Sequence, residues 1–579
     1  MTRRRLAVAA SALLGLDLLL QPASPLPPAA ELLFGAGLLL LVPRPAVARA
    51  VAALWLLLAL LALAEFALEL QFGRPLRLAD DVRLVGVLWE VLWQVLPSGV
   101  GALALALALA LPAACFALAR LATRALLQLA PGRRRLGALC AALALLAPAL
   151  PGPPLSTAAS ERLLAQFARY REGEAKRARL REQLARPDPI PAPPPGAALG
   201  RRDVLVLFVE SYGRAALAQA GIREQVRPAL AALARRARAL GLASASGLIR
   251  SPTAGGRSWL AHATLLTGLW IDEQASYALL TRSRPRTLAH LFAASGHRTR
   301  LLAPAVARPW PQAAAYGFER VLTAPELGYA GPRFGWPPVP DQFALAALFR
   351  RELRPRPRPP VFAVVLLASS HSPFAPLPPL VPWEELGDGS RLKPPKDADP
   401  PAALWLRPAR LKRAYARAIA RVLATLESFL ADRLAPCTLL IVVGDHEPPG
   451  LVLGGPPGDA VPIHLLSDDP RLLRPFLARG LRPGLWPDLR PPSLGMDALF
   501  ALLEEAHAVP ASRHCPLSGA PDPAPRSRKA AGTPRGASAT PQAAAPRGPA
   551  PPPRGDRPGR PRNRDGGGGR PERPCACAA

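Results

Sequence analysis

Two runs without a charged side chain constrain this chain more than anything else in it. Residues 99–119 hold no charged residue over 21 positions, and residues 136–155 none over 20. Each is long enough to cross a hydrocarbon core, which takes about 20 apolar residues. Ala50–Ala64 is a third apolar run, extendable past Glu65. Leu6–Leu20 is a fourth, interrupted by Asp17, and Leu32–Val42 is the shortest, ending at Pro43. The pattern predicts about five transmembrane helices in residues 1–155, the second of them Leu32–Val42. Residues 1–20 also fit a secretory signal sequence, with Arg3–Arg5 before an apolar stretch.

Arginine placement orients this bundle. Arg3, Arg4, Arg5, Arg44, Arg49, Arg120, Arg124, Arg133, Arg134 and Arg135 fall on one side of the spans, and only Arg74, Arg77 and Arg83 on the other. The positive-inside bias then places the N-terminus in the cytoplasm and everything beyond residue 155 outside. The expected location is a multi-pass protein of the cytoplasmic membrane with an extracytoplasmic main domain. Residues 84–96, LVGVLWEVLWQVL, carry Trp89 and Trp93 four apart on one helical face and read as an interfacial helix or a packed amphipathic one.

Beyond the bundle the chain changes twice. Residues 156–200 read as a helical stalk over 157–186 followed by a proline-rich linker, PDPIPAPPPGAALG. Residues 201–515 read as an α/β domain with a mainly parallel central sheet. Its apolar runs Val204–Val209, Val361–Leu367, Leu439–Val443 and Val461–Leu466 are continuous rather than alternating, as expected of strands covered on both faces. Helical stretches such as 226–240 and 408–432 separate them. Residues 519–579 form an Arg/Pro/Gly-rich tail expected to be disordered. Its part from 521 carries 12 cationic and four acidic side chains and almost nothing large and apolar.

The net charge of +31 suggests nucleic-acid binding at first sight. All but five of the 72 basic residues are arginine, and Pro and Gly together make 118 of 579 residues. That bias belongs to a chain built from Ala, Leu, Arg and Pro throughout. The arginines are spread over loops, stalk and tail without interleaved aromatics, so no nucleic-acid partner is expected. Six cysteines in 579 residues exclude a disulfide scaffold. Cys437 and Cys515 would face the oxidising side, and whether they pair stays open at this point. Cys575 and Cys577 read as an incidental exposed pair.

The chemistry gathers at strand ends. All eight histidines lie beyond residue 260. The first strand runs into Glu210 in VLFVESYGR. Another runs into Asp445-His446 in LLIVVGDHEPP, and a third into Ser369-Ser370-His371 in VVLLASSHSPF. In open α/β sheets ligands bind at the carboxyl ends of strands. Two carboxylates and an imidazole from two such ends, with a hydroxyl, suit a catalytic metal site with an open position. Each has a bland reading as well: a carboxylate after a strand is often a helix cap, and a single histidine is usually structural.

The hydroxyl candidate is Ser258 in SPTAGGRSWLAHATLLTG, residues 251–268. Gly255-Gly256 permits a tight turn, and Trp259–Leu266 reads as a helix, so Ser258 falls at a helix N-terminus, where an anionic group is favoured. Arg257 beside it suits a phosphate or sulfate oxygen. His262, one turn later, either donates to a leaving group or packs. Thr253, Thr264 and Thr267 are alternative hydroxyls.

Residues 203–214, 251–268, 369–374, 441–447 and 461–469, in this order, resemble the sulfatase and alkaline phosphatase superfamily. The layout is most similar to its membrane-anchored branch, the lipoteichoic acid synthases and phosphoethanolamine transferases. The resemblance spans roughly residues 1–470, and segments 332–343 and 461–470 resemble an uncharacterised bacterial sulfatase-like subgroup. It implies a sulfatase-like fold and one divalent metal ion, zinc or manganese, on Glu210, Ser258, Asp445 and His446. Ser258 becomes the catalytic nucleophile where the family has Thr, and His371 a substrate-binding residue beside Arg257 and His262. The implied activity is a phospho-transferase or phosphodiesterase acting on a membrane lipid or envelope polymer. The alternatives are a sulfuric or phosphoric ester hydrolase, or a catalytically degenerate membrane scaffold. Ser258-Trp259-Leu260-Ala261-His262 lacks the Pro and Arg that formylglycine formation requires, which argues against the sulfatase route.

Overall fold

Alanine and leucine build the N-terminal elements, and Pro112 lies inside one of them. In the computed structural model, which describes residues 2–22, 27–82, 98–129, 132–147, 155–186, 197–374, 377–395, 404 and 407–510, they form α1 (Thr2–Leu20), α2 (Ala30–Leu41), α3 (Pro45–Phe72), α4 (Ser98–Leu129) and α5 (Arg134–Leu146). α3 begins with Pro45, whose missing N–H costs nothing in a first turn, and stops at Gly73 in the left-handed conformation. Many large side chains of these helices face outward: Leu14 is 62% exposed, Leu18 66%, Leu109 65% and Leu145 68%.

The count of spans differs from the five expected. Among the described residues, two helices are long and apolar enough to cross a membrane, Pro45–Phe72 and the Ala108–Leu129 part of α4. α2 has 12 residues and α5 has 13, short of the roughly 20 a full crossing takes. α1 has 19 but includes Arg3–Arg5 and Asp17. Glu65 does not end α3; it lies buried inside the helix in a 2.8 Å ion pair with Arg169. The helix read at 84–96 and the tail from 519 lie outside the described residues.

α6 (Ala158–Ala185) is the helix read as a stalk. Part of its charge run is paired rather than solvated. Lys176 holds Asp272 at 3.0 Å, and Arg177 holds Glu273 at 3.2 Å.

The main domain is one eight-stranded sheet in the order β4-β3-β5-β1-β6-β7-β2-β8. The strands are β1 (Asp203–Val209), β2 (Ala243–Arg250), β3 (Arg298–Ala303), β4 (Arg320–Thr323), β5 (Val361–Leu367), β6 (Thr438–Gly444), β7 (Ala460–Ser467) and β8 (Arg482–Pro483). β4, β3, β5, β1 and β6 run parallel; β7, β2 and β8 join by antiparallel pairings. All seven residues of β1 are buried because both faces are covered. Leu205, Leu207 and Val209 pack into one hydrophobic cluster with α7 (Arg223–Ala239) and, later in the chain, Pro408–Asp432. Val204, Val206 and Phe208 point the other way, against α8 (Ser258–Thr267), as the two-residue period of a strand requires. Each fully buried Leu or Val side chain contributes about 1.5–3 kcal/mol relative to exposure.

Register sets the site. Val209 lies opposite Leu367 of β5 on one side and Gly444 of β6 on the other. The residues that follow, Glu210, Ala368–His371 and Asp445–His446, therefore leave the sheet at the same level.

Candidate active site

Ser258 is the first residue of α8, following Arg257 with φ 63° and two positive-φ glycines, Gly255 and Gly256. This turn aims its hydroxyl at the strand ends. Ser258 Oγ donates to Glu210 Oε2 at 3.0 Å and lies 3.1 Å from His446 Nε2. His446 Nε2 is 3.2 Å from Glu210 Oε1 and 3.7 Å from Asp445 Oδ2. Ligand atoms of Glu210, Asp445 and His446 all fall within 4.8 Å of one another.

Neighbouring groups fix these side chains. His446 Nδ1 is 2.8 Å from the Glu447 carbonyl oxygen; an Nδ1–H donated there leaves the Nε2 lone pair facing Ser258 and Glu210. Asp445 Oδ1 accepts the backbone N–H groups of Ser211 and His446, both at 2.7 Å, which leaves Oδ2 for the centre. Ser211, left-handed at φ 58°, donates its hydroxyl to Glu210 Oε1 at 3.0 Å.

Burial and mutual repulsion oppose full ionisation of this set. Burial, with the Glu210 charge beside it, pushes Asp445 up to about 8. Burial alone would raise Glu210 as well, but His446 outweighs it and holds that carboxyl below the usual range. Burial would lower His446, yet Asp445 and Glu210 carry it up to about 9. A divalent cation among these atoms removes the conflict, since it favours both carboxylates ionised and the imidazole neutral. Two carboxylates, one imidazole with a fixed tautomer and one hydroxyl fit the donor types of zinc or manganese, zinc with these four alone and manganese with added oxygen ligands.

The alternative hydroxyls are engaged elsewhere. Thr253 Oγ1 donates to Gly256 O at 2.7 Å, Thr267 Oγ1 to Ala263 O at 2.7 Å, and Thr264 Oγ1 accepts from Ile271 N at 3.0 Å. The structure thus brings Ser258, Glu210, Asp445 and His446 together and separates the other expected residues by degrees. His371 stands at the β5 end with its ring stacked on Trp336 at 4.1 Å and Nδ1 2.7 Å from Ser372 O. His262 is buried edge-on to Phe208 at 4.5 Å, and burial pushes its pKa down to about 3, so it is neutral. The charges nearest Arg257 are Arg74, Asp81, Arg77 and Asp272, and its Nε is buried without a hydrogen bond. Burial, then Arg74, lowers its pKa to about 9, against the pull of Asp81.

Two buried acids escaped the sequence reading. Asp341 accepts the N–H groups of Ala368 at 2.9 Å and Ser369 at 3.0 Å, and so shapes the turn that carries His371; burial raises it to about 6. Glu447 accepts from Ala215 N at 3.1 Å, and burial raises it to about 8. Asp341 lies in the segment 332–343 singled out above, but nothing in its spacing connects it to the turn after β5, 27 residues on at Ala368. Cys437 is disulfide-bonded, and its partner lies outside the described residues.

No protein family's sequence profile matches the chain. No curated protein matches it by sequence. Among solved structures it is similar to the lipoteichoic acid synthase LtaP of Listeria monocytogenes, at 14% identity and TM-score 0.33, over 50% of this chain and 71% of that one. It is similar to the phosphoglycerol transferase GacH of Streptococcus pyogenes, in complex with sn-glycerol-1-phosphate, at 15% identity and TM-score 0.33, over 50% and 72%. It is also similar to the C-terminal periplasmic domain of Escherichia coli EptC, in complex with Zn, at 15% identity and TM-score 0.29, over 46% and 73%.

Proposed function

We propose that this chain is a membrane-anchored, metal-dependent phospho-transferase or phosphodiesterase that acts on a lipid-linked or cell-envelope phosphodiester, with Ser258 as nucleophile. The observation that carries the reading is the position of Ser258 Oγ, within hydrogen-bond distance of both Glu210 and His446. A divalent cation, zinc or manganese, held by Glu210, Ser258, Asp445 and His446, would lower the hydroxyl pKa and neutralise developing charge.

The chain's own residues do the rest. Ser258 Oγ attacks phosphorus, the bond to one ester oxygen breaks, that oxygen leaves as an alcohol, and a serine phosphodiester that keeps the substrate's other ester group forms. An acceptor hydroxyl or water then takes the group and restores Ser258. The N-terminus of α8 favours the anionic group as it arrives. His371 holds a non-bridging oxygen. Arg257 adds a second hold when its guanidinium turns from Arg74 towards Ser258. His262, buried and neutral, supports Phe208 beneath the site. The membrane helices, the arginine asymmetry and the disulfide at Cys437 together favour an extracytoplasmic domain next to lipid.

Incubation of the full chain with phospholipid and one divalent metal, followed by peptide mass analysis, tests this. The mass of headgroup plus phosphate on Ser258 with released diacylglycerol, or of a phosphatidyl group with released headgroup, is the expected result. Turnover without modification of Ser258, and undiminished in Ser258→Ala, would remove it as nucleophile.

A further inference from the structure

The nucleophile turn is not self-supporting. It combines Gly255 at φ 68°, Gly256 at φ 150° and Arg257 at φ 63°. A left-handed conformation is unfavourable for arginine, and adjacent glycines add freedom rather than rigidity. The turn's own ties are Gly255 N donating to Glu447 O at 3.0 Å and the Thr253 hydroxyl on Gly256 O.

The surface it rests on comes from α3, a helix long and apolar enough to cross a membrane. A Cβ placed on Gly255 would lie 2.6 Å from the Gln71 carbonyl oxygen and 3.1 Å from the Phe72 ring. One on Gly256 would lie 3.5 Å from the same ring. The loop after Asp445-His446 meets the same turn of α3: a Cβ on Gly450 would overlap the Leu70 carbonyl oxygen, and one on Gly73 the Pro457 carbonyl oxygen. Glycine thus stands at each of these contacts, where backbone approaches backbone. Three ion pairs hold the segment after α3: Arg74 with Asp81, and Arg77 with both Asp272 and Glu273. Arg169 pairs with Glu65 at 2.8 Å and donates to Leu76 O at 3.0 Å.

We propose that the last turn of α3, through Phe72, is a positioning element of the active site: it holds the Gly255–Gly256 turn and so fixes Ser258 against Glu210 and His446. The proposal rests on the reading of Ser258 as nucleophile. Phe72 acts through the loop and touches none of the reacting atoms. The sheet domain is then not an autonomous catalyst attached to an inert anchor; one end of a membrane helix completes it.

The test uses the full chain in lipid nanodiscs, with amide hydrogen exchange over residues 251–258 and turnover of bis(p-nitrophenyl) phosphate measured on the same samples. Phe72→Ala should raise exchange at the Gly255 amide by about 10-fold while β1 stays protected. It should lower kcat by about 10-fold, with KM and bound metal unchanged. Phe72→Leu should restore most of both. Gly450→Ala, which pushes α3 away from the other side, should move them in the same direction. Unchanged exchange in both Phe72→Ala and Gly450→Ala overturns the proposal. Raised exchange with unchanged turnover also overturns it, because the contact then positions nothing. If the unmodified chain shows no turnover and no covalent phosphoester adduct on Ser258, the Ser258 reading fails separately, and exchange alone decides whether α3 holds the loop.

Discussion

The N-terminal helices and the sheet domain use the same apolar residues in opposite ways. In the helices, Leu14, Leu18, Leu109 and Leu145 are each more than 60% exposed, and the buried cluster between them is small and rich in alanine. In the sheet domain every residue of β1, β5, β6 and β7 is buried. A water-soluble unit rarely leaves so much large apolar surface open. The helices have little core of their own and rely on surroundings that tolerate apolar surface, whereas the sheet domain carries its own core. The difference explains where chemistry resides. Catalytic geometry needs side chains fixed to fractions of an ångström, and a packed sheet supplies that.

The widest test of this contrast is chemical. Ser258→Ala should lower turnover by ~10³-fold or more, the scale seen when a nucleophile leaves a preorganised site, with metal content largely kept. Ser258→Thr should retain measurable activity. Asp445→Ala should lose bound metal and rate together, because it removes a ligand; metal analysis and turnover on one sample distinguish the two. If Ser258 only caps α8, its alanine variant loses about 1 kcal/mol of stability and keeps its rate.

Next comes packing. Leu207→Ala, at a fully buried strand position, should cost about 2–5 kcal/mol in denaturation of the sheet domain. Leu14→Ala, on an exposed helical position, should shift the same transition by less than ~0.5 kcal/mol. Similar losses at both sites would mean that Leu14 is buried by something in solution.

A third comparison uses pH, because every histidine lies beyond residue 260. Burial holds His297 and His464 at about 4, against about 6.5 in an unfolded chain. A base with a depressed folded pKa stays neutral while the unfolded chain takes up its proton. Stability from these two groups is therefore complete above about pH 6.5 and falls as pH drops towards 4. Melting temperature should decline from pH 7 to pH 5, and His464→Gln should flatten that slope whatever it does at pH 7. An unchanged slope would show that His464 is not neutral in the fold.

The smallest effect concerns Asp341. Asp341→Asn should lower turnover by about 10-fold through the turn that carries His371, with metal retained. Loss of metal instead would mean the turn supports the ligands themselves.

Much of this was legible in the residues. A run such as Val204–Val209, apolar at every position, has to be covered on both faces, and this predicts a parallel strand with chemistry at its carboxyl end. Glu210, Asp445-His446 and Ser369–His371 were found in this way, each at the end of its strand. The helix starting at Ser258 was legible too, because Gly255-Gly256 interrupts and Trp259–Leu266 does not. Sequence put Ser258 first but kept Thr253, Thr264 and Thr267 as alternatives. Only the fold shows the three threonines bonded internally and Ser258 aimed at Glu210. Sequence could not give the crossing count, since composition marks apolar runs but not where helices stop. α2 and α5 end too soon.

The decisive step is register. β1 lies between β5 and β6 with Val209 level with Leu367 and Gly444, pairings more than 150 residues apart in the chain. Local propensity has no information at that range; packing of both sheet faces does. The same applies to Arg257 and Phe72. The order of residues places Arg257 next to Ser258, but the left-handed turn and the end of α3 set its side chain among Arg74, Arg77 and Asp81. Burial periods and strand ends are local properties, so the chain determines them alone. Which ends meet, and what holds the turn beside them, is decided by the surfaces that pack.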